Sequence, residues 1–136
     1  NLVVSGTTTL DTTLTTLNSD GGSIVIDETD DLTANIIKST DTVTIDSTNL
    51  TVNSIQATNT VNLNGTSVLD GNDETLNVTT STLNLNVSET TTLDTTIETL
   101  NSNGGSINID ETDNLTVNSV ASTDTVTIDA TDISVN

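Results

Sequence analysis

For chemistry the chain offers carboxylates and amides and little else. The stretch "DGNDE" puts Asp70, Asn72, Asp73 and Glu74 on one Gly-containing loop. These are hard oxygen donors of the type that hold Ca2+. Two more acidic runs, "DETDD" (27–31) and "DETDN" (110–114), supply Asp27, Asp30 and Asp31, then Asp110, Asp113 and Asn114. As plain turns these segments would need Asp and Asn only for backbone geometry. As ligand loops they would relieve a net charge of −19, which repels itself on any compact chain. Ca2+ is thus the cofactor class the sequence favours, though the fold does not require one. Asn-x-Ser/Thr triplets at Asn49, Asn64, Asn77, Asn86 and Asn114 are candidate glycosylation acceptors. Thr, Asn and Ser make up 65 of 136 residues, so such triplets also arise by chance.

Composition argues against catalysis. The sequence has no His, Cys, Tyr or Arg, which removes the usual bases, nucleophiles and oxyanion partners. Paired carboxylates could in principle hydrolyse glycosides. The one cation, Lys38, has Ala121 as its counterpart in an internal repeat and reads as a solvated residue. We therefore expect no catalytic residue and no enzyme. One cation against 20 carboxylates cannot neutralise a phosphate backbone, which excludes nucleic acid as a partner. No apolar run approaches the ~18 residues of a membrane-spanning helix, so direct insertion by this segment is not expected.

The elements that must carry these residues follow from repetition. Residues 1–53 align without a gap on 84–136, with 38 identities in 53 positions. The reading is an excerpt of a tandem array with an 83-residue unit: 1–6 end one repeat, 7–89 form a complete one, and 90–136 form part of a second. A shorter echo lies inside. "DLTANIIKSTDTVTID" (31–46) and "NLTVNSIQATNTVNLN" (49–64) align at an offset of 18, with apolar and polar residues alternating. Period two means strands with one face inward. Short strands at an 18-residue beat describe one coil of a parallel β-solenoid. Asn35 should then lie under Asn53, and Thr42 under Thr60, with four to five coils per 83-residue unit. A core of Val, Ile, Leu and Ala, with no aromatic residue, suits such a thin interior. A tandem Ig-like sandwich is the rival fold, but its core usually contains Trp or Tyr.

One part departs from this beat. In "LDTTIETLNSNGG", Leu93, Ile97 and Leu100 fall at helical spacing, and Gly104–Gly105 follow where a C-cap would sit. Leu10, Leu14 and Leu17 repeat the spacing, which predicts a short helix per repeat.

The succession of this segment, "GGSINID", "DNLTVNSV" and "TDTVTID" resembles the opening of right-handed β-helix domains in prokaryotic surface adhesins and filamentous-haemagglutinin-like fibres. The resemblance is one of pattern and covers most of the chain. It implies an all-β fold and an extracellular, cell-surface location. The calcium-binding Gly-Gly-x-Gly-x-Asp nonapeptide is absent, because "GGSINID" lacks the third Gly. The expected function is a structural repeat of a long acidic extracellular filament, stalk or sheath. It would elongate by coil-on-coil stacking, with identical repeats and neighbouring copies as partners. The alternative is an adhesin module binding glycan or Ca2+ on a solenoid flank.

Overall fold

A computed structural model describes residues 2–4, 6, 8–12, 16–73 and 75–136; side chains are described at 6, 10, 21–73 and 75–136. The strands are β1 (Leu2–Val4), β2 (Thr8–Thr12), β3 (Thr16–Gly21), β4 (Ile24–Glu28), β5 (Leu32–Ser39) and β6 (Thr42–Asp46). They continue as β7 (Asn49–Val52), β8 (Ile55–Ala57), β9 (Thr60–Asp70), β10 (Val78–Glu111), β11 (Asn114–Ser122), β12 (Val126–Asp129) and β13 (Asp132–Val135). The pairings between them are parallel, as a solenoid requires and a sandwich does not.

One coil shows how sequence sets the cross-section. Strand β6 forms a first face, A; β7 a second, B; and β8 a third, C. The corners are Ser47–Thr48, Asn53–Ser54 and Thr58–Asn59. Val43 and Ile45, then Leu50 and Val52, then Ile55 and Ala57 point inward, and all are buried. The residues between them face outward. Each coil lies on the one below, with strands about 4.8 Å apart.

On face A the inward residues Leu10, Ile26, Ile45, Leu63 and Leu85 pair in succession. Ser102 follows above Leu85, because its flanking residues Asn101 and Asn103 donate hydrogen bonds to Asn84 and Asn86. Val120 then pairs with Ser102. Like-on-like aliphatic stacking closes the interior, and each fully buried Ile or Leu contributes about 1.5–3 kcal/mol. The 18-residue beat holds between Ile45 and Leu63, but 22 residues separate Leu63 from Leu85. The extra length is the segment around "DGNDETLN", which bulges between faces B and C.

The helix expected over Leu93–Leu100 is not there: these residues lie inside β10. The alternation is in fact strict, because Thr91, Leu93, Thr95 and Ile97 are all buried. Two of the four inward positions carry Thr, which hid period two and left an apparent helical spacing. Thr is β-branched and suits a strand better than a helix. In the first copy, 13–15 lie outside the described residues, and their neighbours form β2 and β3. The Gly pair is no C-cap either. A Cβ on Gly105 would run into the Glu89 carbonyl of the coil below, and one on Gly104 into that of Val87. Gly104 also has a φ of 147°, which L side chains rarely adopt.

Candidate functional site

The flank most distinct from the rest is an asparagine surface on face A. Asn62, Asn84 and Asn101 occupy successive coils and point outward from one column. The Asn62 amide donates to Thr44 Oγ1 at 2.9 Å, Asn84 to Asn62 at 2.7 Å, Asn101 to Asn84 at 2.8 Å, and Asn118 to Asn101 at 2.8 Å. Two residues along the strand, Asn64, Asn86 and Asn103 make a second column, in which Asn103 donates to Asn86 at 3.4 Å. The columns border a shallow depression of about 190 Å3, with Ser119 at its edge. Parallel in-register strands place like amides one coil apart, so each side chain both accepts and donates along the axis. The expected stack of Asn53 on Asn35 is present at 2.6 Å, and Thr42 pairs with Thr60.

The acidic segments are structural in their contacts. Asp70 Oδ1 accepts the backbone N–H of Asn72 at 2.8 Å and the Asn77 amide at 2.7 Å. Asn77 is fully buried; its Nδ2 also donates to the Val52 carbonyl at 2.8 Å, and its Oδ1 accepts the backbone N–H of Asp94 at 2.7 Å. One buried amide thus ties the bulge to the coils on either side. Asp73 takes a positive φ of 58° at the tip of the bulge, and Glu74 lies outside the described residues. Asp73, Asp94 and Asp110 rim an open depression of about 530 Å3 with Leu76 and Thr112.

Asp27, Asp30 and Asp31 are exposed around one corner, as are Asp110, Asp113 and Asn114 around another. Asp31 accepts the Asn49 amide at 2.7 Å. Among the described residues, no group of three or more carboxylates is arranged to hold a metal ion. Of the candidate glycosylation positions, Asn86 and Asn114 are exposed, Asn49 and Asn64 half-buried, and Asn77 buried. Lys38 is exposed on face C and pairs along the backbone with Gln56.

Two features stand out that the sequence reading did not single out. Glu111 is only 3% exposed, although it sits in an acidic run. Its Oε2 accepts the Thr95 hydroxyl at 2.8 Å and the Ile97 backbone N–H at 2.9 Å; its Oε1 accepts the Asp113 N–H at 3.2 Å. Glu28 is buried at the matching place and accepts the Asp30 N–H. The signal was available: Ile107, Ile109 and Glu111 continue one inward alternation. The other feature is Asp41, which accepts Ser23 Oγ–H and the Asn59 amide from the coils on either side, each at 2.7 Å. The Ser23 hydroxyl, then the Asn59 amide, holds its carboxyl below the usual value of 3.8. The bond recurs in the second copy, where Ser106 donates to Asp124 at 2.9 Å.

Among the described residues no helix is long and apolar enough to cross a membrane. No protein-family model, curated protein or solved structure matches the chain, so the functional reading rests on its own geometry.

Proposed function

We propose that the chain is a structural repeat segment of a long acidic filament, stalk or sheath on a prokaryotic cell surface, elongating by coil-on-coil stacking. The observation that carries this reading is the junction between the two copies. Strand β10 runs unbroken through the boundary at 89/90, Thr91 of the second copy pairs with Val68 of the first, and Asn101 donates to Asn84 across the same boundary. Core column and amide ladder run through without a break, so adding copies adds length and no new kind of interface. Stability in such a stack is a sum over neighbouring coils. The role is mechanical rather than catalytic. An acidic surface keeps long rods soluble. A single cleavable Lys and a lack of Cys and aromatics suit exposure outside a cell.

Electron microscopy of chains carrying increasing numbers of the 83-residue unit tests this. Rods of constant width should lengthen by about 21 Å per unit, which is the ~4.8 Å coil spacing taken over a little more than four coils. A string of separate globules, or lengths independent of unit number, would overturn the reading.

A further inference from the structure

The two copies do not occupy the same flanks. Ile37 of the first copy stands on face C, between Ser19 and Ile55. Its counterpart Val120 stands on Ser102, in the face A column above Leu85, Leu63 and Ile45. The other faces shift in the same sense. Strand β4 is on face A beneath β6, whereas its counterpart 107–111 follows the face A residues 101–104 along the coil and so lies on face B. The amide ladder moves with them. Asn53 on Asn35 marks the corner between B and C, whereas Asn118, the counterpart of Asn35, stands on Asn101 in the face A column of Asn84 and Asn62.

We infer that the 83-residue repeat is a screw element of four coils and one face. From Ile26 on face A, four coils lead through Ile45, Leu63 and Leu85 to Ser102; the counterpart of Ile26, Ile109, comes one face later. Successive repeats are therefore turned by about a third of a revolution. This inference rests on the array reading above and gives it a symmetry. A feature carried once per repeat points in three directions in turn and returns to its own flank after three repeats, about 62 Å along the axis at ~4.8 Å per coil. The bulge at 71–77 lengthens one side of one coil in each unit. Repeated on one flank it would bend the rod; carried round the axis, it leaves the rod straight. Neighbouring rods of the same chain, lying side by side, would meet identical flanks in register only at every third repeat.

Contacts in this chain test the junction. Turned copies place Asn84 on Asn62, whereas copies stacked flank on flank would place Asn84 in the column of Asn35 and Asn53. The double variant Asn62→Cys with Asn84→Cys should cross-link on mild oxidation, since adjacent in-register residues meet disulfide Cα spacing. Asn53→Cys with Asn84→Cys should stay reduced. The reverse pattern overturns the inference. If either variant folds poorly, NOEs in the unaltered chain decide: Leu85 methyl contacts to Leu63 support the turn, and contacts to Ile55 contradict it. Helical images of longer arrays separate this from the filament reading itself. A rise of about 21 Å with a turn near 120° supports both. A straight rod with no turn per unit keeps the filament and removes the screw.

Discussion

Glu111 accepts the backbone N–H of Ile97 through a 2.9 Å hydrogen bond made inside the solenoid wall. The same carboxylate takes the Thr95 hydroxyl and the Asp113 N–H, so one buried side chain reinforces the backbone bond from the Thr112 N–H to the Thr95 carbonyl in tying two coils at a corner. Glu111→Ala would leave the buried Ile97 N–H without its acceptor and the Thr95 hydroxyl with only the Asp110 carbonyl, at 3.4 Å. A buried orphan costs about 1–3 kcal/mol. Denaturant unfolding should show a loss of about 2–5 kcal/mol on that basis. Thr95→Val, which removes one donor and keeps the shape, should cost less.

The Gly pair should tolerate no side chain. Gly105→Ala puts a methyl group into the Glu89 carbonyl, and Gly104→Ala adds an unfavourable φ. Both should lower the melting temperature clearly. Gly6→Ala is the control: nothing lies within 4 Å of its added Cβ, and its effect should stay within about 0.5 kcal/mol.

Asn77→Ala should be among the most damaging changes on the polar side. It removes a buried amide that holds Asp70, the Val52 carbonyl and the Asp94 N–H together. Loss of several net hydrogen bonds and exposure of their partners predicts about 2–4 kcal/mol in denaturant unfolding. Asn84→Asp at the surface should be milder, yet worse than Asn84→Ala. An Asp at that position cannot donate to Asn62, and its charge faces the Asn62 Oδ1 that now accepts the bond.

Acid should weaken the Ser23–Asp41–Asn59 link. The folded carboxyl titrates below its ordinary value, so its contribution is fully present above the unfolded value of 3.8 and is lost as pH falls below that through the folded pKa. A carboxyl 13C titration should give Asp41 a midpoint lower than in the Ser23→Ala variant. Equal midpoints would show that the hydroxyl does not set the shift.

How far the sequence revealed this architecture depends on which residues faced inward. Where inward positions were aliphatic, as at Val43, Ile45, Val61 and Leu63, alternation and the 18-residue echo gave strand, face and stacking partner. Where polar residues went inside, the pattern failed. Thr91 and Thr95 disguised a strand as a helix, and the inward Glu111 was not singled out from its acidic run. In the acidic runs the sequence shows the carboxylates but not the groups that donate to them: Asp70 accepts the Asn77 amide and Asp31 the Asn49 amide. The turn between copies was hidden for another reason. Coil length varies, and only the pairing of Leu63 with Leu85 shows that one coil holds 22 residues.

The central claim is that both copies form one continuous stack of coils. Diffraction from oriented fibres of the repeat array tests it most directly. A continuous rod predicts a sharp reflection near 4.8 Å along the fibre axis, with strands perpendicular to that axis. Separate domains spaced about 40 Å apart, with no axial reflection near 4.8 Å, would contradict it.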